Sequence, residues 1–142
     1  MQFQLLINPA TDLRLANTPS MQAFADGYGL TRADIAWFYG QYLNGEQDSL
    51  NPLASPLLAS DLSGLPPALI MTAEFDPLRD EAEQYGKRFQ QAGVPTHISR
   101  QDGLIHGFAI VGMTWDRSQQ AIAKAAAAVR AALAVGPAAD AR

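Results

Sequence analysis

The sequence predicts an α/β fold, with about three parallel strands in one sheet and helices packed against it. Three observations carry this. The run Ala68-Leu-Ile-Met-Thr-Ala73 is apolar at nearly every position, as in a strand covered on both faces. Residues 79–92 follow as a helix, with Leu78, Ala82, Tyr85 and Phe89 on one stripe and Gly93 as its stop. Val94-Pro95 then opens another strand, and a further helix closes the chain. Strand, helix, strand, helix is the pattern of right-handed crossovers between parallel strands. A length of 142 residues suffices for one domain with a real core and hardly for two.

Taken in order, residues 3–7 read as a strand closed by Asn8-Pro9. A covered-type strand at the first residues is odd, because such strands usually follow a helix. Residues 10–19 form a polar connection, and Ser20 is expected to cap a short helix over 21–26, stopped by Gly27-Tyr-Gly29. Thr31 with Asp34 resembles a capping box, with Asp in place of Glu or Gln. It opens a firmer helix through about Leu43, with Ile35, Phe38 and Tyr42 on one stripe and Trp37 and Tyr39 off it. Those aromatics could line an acyl pocket, but at helical spacing a place in the core is the expectation. Residues 51–64 are turn-rich and contain Ser55-Pro56.

After the central strand and its helix, residues 94–100 form the third strand. Their alternation suggests a less covered face, as at a sheet edge. Residues 101–108 are expected to be a loop. The closing helix runs over about 118–135, with Ile122, Ala125, Ala126, Val129 and Leu133 inward. Gly136-Pro137 ends it, and residues 136–142 form a frayed tail. Three parallel strands leave two raw sheet edges.

Composition narrows the function. The hydrophobic share of 48% and charged share of 17% belong to a folded domain, not a disordered chain. A net charge of −4 argues against nucleic-acid or anionic-membrane partners, which reward a Lys/Arg excess. Without cysteine there is no disulfide, no Cys nucleophile and no thiolate metal site. No run is long enough to span a bilayer. The first residues lack the basic stretch and cleavage site of a signal peptide, so a cytoplasmic location is the expectation.

The chemistry concentrates at Asp76 and His106. Both would follow neighbouring strands, and in open parallel sheets ligands collect outside the carboxyl ends of the strands. Pro77 fixes a sharp exit for Asp76. Gly103 and Gly107 let the histidine loop turn tightly. An acid that grips imidazole Nδ1–H fixes the tautomer and stabilises the imidazolium. A surface histidine near a helix-capping aspartate fits the same spacing, and spacing alone leaves both readings open. His97 reads as a surface or lightly buried strand residue. It lacks ligand spacing to His106, so no metal site is expected, and no Gly-rich phosphate cradle is present. Asp80 and Glu81 open a helix, where negative charge suits the macrodipole, and Asp80 could also brace the Asp76 loop.

Leu65-Pro-Pro-Ala-Leu-Ile-Met-Thr-Ala-Glu-Phe-Asp-Pro-Leu-Arg-Asp-Glu81, Ala92-Gly-Val-Pro95 and Asp102-Gly-Leu-Ile-His-Gly-Phe108 closely resemble the C-terminal part of the hormone-sensitive-lipase-like carboxylesterases, the fold-3 type of α/β hydrolase. The resemblance covers most of the chain and implies a partial α/β-hydrolase fold. By that likeness Asp76 matches the triad acid and His106 the triad base. Residues 21–50 would lie where family members carry elements near the acyl pocket. Ser55-Pro56 looks like a structural family dipeptide. A covalent role for Asp76 is open in principle, but the likeness argues for the supporting one.

The family places its nucleophile in Gly-Asp-Ser-Ala-Gly and its oxyanion donors in His-Gly-Gly-Gly. Neither motif is here. None of Ser20, Ser49, Ser55, Ser60, Ser63, Ser99 and Ser118 has glycine at both −2 and +2. The expectation is therefore the acid- and base-bearing portion, within one domain over 1–142, of a serine carboxylic-ester hydrolase that acts, when complete, on short to medium acyl esters, with no cofactor. The chain alone is expected to be inactive. The likeness also implies a homodimer contact through the third strand and closing helix. The rival expectation is an inactive remnant that acts as an interaction module through the raw edge of its first strand.

Overall fold

The computed structural model describes residues 1–134. Three strands, β1 (Gln4–Ile7), β2 (Ala68–Phe75) and β3 (Thr96–Ile105), form one parallel sheet in the order β1-β2-β3. The helices are α1 (Pro19–Ala23), α2 (Arg32–Tyr42), α3 (Arg79–Gln91), α4 (Phe108–Val111) and α5 (Asp116–Ala134). Short 3-10 turns cover Glu46–Leu50 and Pro56–Leu58. The expected ending at Gly136-Pro137 and the tail over 136–142 lie outside the described residues.

The pleat of β2 explains the layering, since alternate residues face opposite sides of a sheet. Ala68 and Ile70 pack with Tyr85, Phe89 and Val94 on the α3 side. Leu69, Met71 and Ala73 pack with Leu104, Phe108, Ala121 and Ala125 on the α5 side. Burial on both faces is why the strand reads as a continuous apolar run. Each fully buried large side chain contributes roughly 1.5–3 kcal/mol. A smaller cluster of Met21, Ile35 and Leu78 ties α1 and α2 to the start of α3.

Four elements differ from expectation. Thr18, not Ser20, caps α1: its hydroxyl accepts the Met21 N–H at 3.1 Å, and Ser20 lies buried inside the helix. In α2 the capping box of Thr31 and Asp34 is present, but the inward pair is Ile35 and Tyr39, four residues apart. Phe38, one position earlier, is thereby turned outward. Trp37, Phe38 and Tyr42 are 60%, 54% and 69% exposed, so they are not core.

The third strand runs beyond Arg100 to Ile105, through the stretch expected to be a loop. The register passes from Ala73↔Gln101 to Phe75↔Ile105, a bulge in which residues 102–104 oppose Glu74 alone. The Glu74 carboxylate holds that bulge by accepting the Gly103 N–H at 2.7 Å. In α5 the buried positions are Ser118, Ala121 and Ala125, while Leu133 is 60% exposed. Alanine, not the larger residues, faces the sheet because it lets the helix approach closely.

Candidate active site

β2 delivers Asp76 as the first residue past its last rung, and Pro77 turns the chain into α3. The Asp76 side chain is 1% exposed and folds back on its own turn, where Oδ1 accepts the Leu78 N–H at 2.8 Å. This leaves Oδ2 aimed along the top of the sheet. β3 delivers His106 beside it. The bulge lengthens β3 so that His106 emerges level with Asp76, and Gly107, at φ 73°, reverses the chain into α4 in a conformation that favours glycine.

The His106 Nδ1 lies 2.9 Å from Asp76 Oδ2. An ionised carboxylate only accepts, so in the neutral ring the proton sits on Nδ1 and the lone pair on Nε2. The ring is 25% exposed, which leaves one edge open to solvent. The two residues expected from sequence are thus brought together at the carboxyl ends of adjacent strands. His97 lies exposed on β3 at the other end of that strand. No cluster of three His, Cys, Asp or Glu side chains that could hold a metal ion is found among the described residues.

Two groups behind the pair were not legible beforehand. Asn8, at the end of β1, donates its Nδ2–H to Asp76 Oδ2 at 2.8 Å across 68 positions. Glu81 was expected to serve the dipole of α3. Instead it is 1% exposed, and its Oε1 accepts the backbone N–H groups of Thr11 at 2.7 Å and Asp12 at 3.0 Å. Burial pushes its carboxyl up to about 7; the Thr11 and Asp12 bonds offset part of this, and the Asp12 charge adds to it. Burial opposes the ionised form of Asp12 as well, but the Arg14 guanidinium, at 2.8 and 2.6 Å, outweighs it and holds that carboxyl below its usual range.

Asp80 acts on the loop through Ser20 and does not touch Asp76. Its Oδ2 accepts the Ser20 N–H at 2.8 Å, and the Ser20 hydroxyl donates to the Pro77 carbonyl at 2.9 Å. At the end of β2, the Phe75 ring stacks on Tyr28 at 5.3 Å and meets Phe24 edge-on at 5.6 Å, an apolar wall beside Asp76 in the chain. A cleft of about 750 Å³ opens elsewhere, between Leu13, Leu15, Tyr39 and Leu43, and neither Asp76 nor His106 lines it.

Comparison with known proteins yields one family, described as the alpha/beta hydrolase fold, matching residues 1–110. A carboxylic ester hydrolase of Mycobacterium tuberculosis, LipN, is 49% identical over 106 residues, which is 74% of this chain and 28% of the relative. An arylesterase of Saccharolobus solfataricus is 44% identical over 107 residues, 74% of this chain and 34% of its own. A hyperthermophilic esterase from Pyrobaculum calidifontis superimposes with a TM-score of 0.88 at 40% identity, covering 92% of this chain and 42% of that one. The chain thus spans well under half the length of these relatives.

Proposed function

This chain belongs to the hormone-sensitive-lipase-like, fold-3 branch of the α/β hydrolases, and we propose that it contributes Asp76 as acid and His106 as base to a serine carboxylic-ester hydrolase. The observation that carries the reading is the 2.9 Å contact between Asp76 Oδ2 and His106 Nδ1 at neighbouring strand ends. The nucleophile would come from outside these 142 residues, since none of their serines stands in an elbow motif. We take residues 1–142 as one portion of a single hydrolase domain, with the helices between 10 and 64 near the pocket.

In that mechanism Asp76 holds the Nδ1–H tautomer, so Nε2 takes the proton of the attacking serine hydroxyl as its oxygen bonds to the acyl carbon. The imidazolium, stabilised by Asp76, then protonates the departing alcohol. Water attacks the acyl-enzyme by the same route, giving its proton to Nε2 and restoring the serine. No cofactor is required. The wall of Phe24, Tyr28 and Phe75 suits an apolar acyl or aryl group, so the proposed substrate is a small neutral ester. A cytoplasmic location belongs to the same proposal. So does a homodimer contact through β3 and α5, which size-exclusion chromatography over a range of concentrations would test.

An interaction module working through the edge of β1 is the weaker reading, because such a module has no use for a buried carboxylate gripping an imidazole with one edge open to solvent. The discriminating experiment is a hybrid in which residues 1–134 replace the matching portion of the Pyrobaculum calidifontis esterase. The expected result is hydrolysis of p-nitrophenyl butyrate that disappears on His106→Ala. A folded, active hybrid whose rate survives His106→Ala would overturn the assignment.

A further inference from the structure

We propose that Asn8 is a positioning residue for this pair: its amide occupies the same carboxylate oxygen that His106 uses and so limits how strongly Asp76 holds the imidazole. The inference rests on reading Asp76 and His106 as acid and base.

Asp76 Oδ2 receives two donors, Asn8 Nδ2–H at 2.8 Å and His106 Nδ1–H at 2.9 Å. The direction of the amide follows from chemistry, because only the NH2 group can meet an ionised carboxylate. The Asn8 Oδ1 therefore points away from Asp76, and it is buried with no donor among the described residues. The backbone is equally unusual: Asn8 sits at φ 47°, in the left-handed region, while its N–H donates to the Met71 carbonyl at 2.8 Å. Asparagine tolerates that region, but its buried unpaired acceptor is a local penalty, of the kind found where function outweighs stability.

Residue chemistry narrows the reason. Glycine would suit the backbone without penalty but would leave Oδ2 to His106 alone. Aspartate tolerates this φ but would set a second carboxylate against the first. Asparagine meets both demands. The other charged groups nearby are committed elsewhere. Arg79 bonds Asp80 Oδ1 at 2.9 Å and the Glu74 carbonyl at 2.8 Å, and Glu74 holds the Gly103 amide. Glu81 is spent on Thr11 and Asp12, and Tyr39 faces the same buried carboxylates from α2. Among the described residues, Asn8 is thus the side chain, apart from His106, that acts on Oδ2.

A donor withdrawn from an ionised oxygen leaves more of its charge to the remaining partner, which favours the protonated imidazole. The test is a proton NMR titration of the 142-residue protein, in which His97, exposed on β3, serves as internal control. Asn8→Gly should move the His106 titration to higher pH by about half a unit or more, with His97 unmoved. Asn8→Asp should move it further in the same direction, and it carries the test if the glycine variant does not fold. Asp76→Asn should move His106 to lower pH and abolish the effect of adding Asn8→Gly. If Asp76→Asn shifts His106 while both Asn8 variants leave it unmoved, the role of Asn8 is refuted and the acid–base reading stands. If Asp76→Asn has no effect either, both fall together.

Discussion

Glu81 Oε1 lies 2.7 Å from the Thr11 amide nitrogen, closing a contact across 70 positions between the first turn of α3 and the segment after β1. That carboxyl is raised from an ordinary value of 4.5 to about 7, chiefly by burial. An acid raised in this way binds its proton more tightly folded than unfolded. The stability tied to neutral Glu81 is complete below about pH 4.5 and is lost as pH rises through 7. Between those limits the parent should lose on the order of 2–3 kcal/mol more stability than Glu81→Gln does. Urea unfolding at pH 4.5, 6 and 8 measures the difference. Parallel pH profiles for the two proteins would remove Glu81 as the titrating group.

Gly86 marks where α3 lies closest to the sheet. A Cβ there would stand 2.7 Å from Ile98 Cγ1 and 3.1 Å from Ile70 Cδ1. Alanine improves helix propensity by about 1 kcal/mol, but overpacking at such distances costs roughly 1–3 kcal/mol and Ile70 is fully buried. Gly86→Ala should therefore lower the urea midpoint even though it is a helix-favouring change. An unchanged or raised midpoint would mean that Ile98, on the edge strand, moves aside freely.

The contrast between Asp76 and Asn8 shows what local sequence can disclose. Asp76 announces itself through its own neighbours: an apolar run, a proline and a helical stripe, all within twenty residues. Asn8 reads as an ordinary strand-closing turn residue, because the carboxylate that explains it comes from 68 positions away. Glu81 misled for the same reason; its place in a first helical turn already had a sufficient local account. The extension of β3 was hidden because a bulge breaks the alternation on which strand reading depends. On α2 and α5 the period was right but the phase was not. Ile35 lies inward as expected, but the inward face is set by what the helix meets, and Tyr39 and Ala121 meet it one position away from Phe38 and Ile122.

Ser55-Pro56 was expected to be structural, and its geometry gives the expectation a magnitude. The Ser55 hydroxyl is fully buried; it accepts the Leu13 N–H at 2.8 Å and donates to the Ser49 carbonyl at 2.7 Å. Ser55→Ala strands both backbone groups, at about 1–3 kcal/mol for each that remains buried and unpaired. A loss of at least about 1 kcal/mol in urea unfolding is expected, with the Asp76–His106 contact intact by NMR. A loss within error would show that water replaces the hydroxyl.

Catalysis separates the pair from the whole. The 142-residue protein should hydrolyse p-nitrophenyl butyrate no faster than buffer, because triad members act as a unit and removing the nucleophile forfeits most of the rate. In the hybrid enzyme the same two residues should become indispensable to different degrees. His106→Ala removes the proton acceptor itself. Asp76→Asn keeps the shape but loses the charge and the tautomer it selects, so kcat should fall by about four orders of magnitude with KM little changed. A hybrid that tolerates Asp76→Asn within tenfold would mean that the 2.9 Å contact holds the loop after β3 in place and does not tune its imidazole.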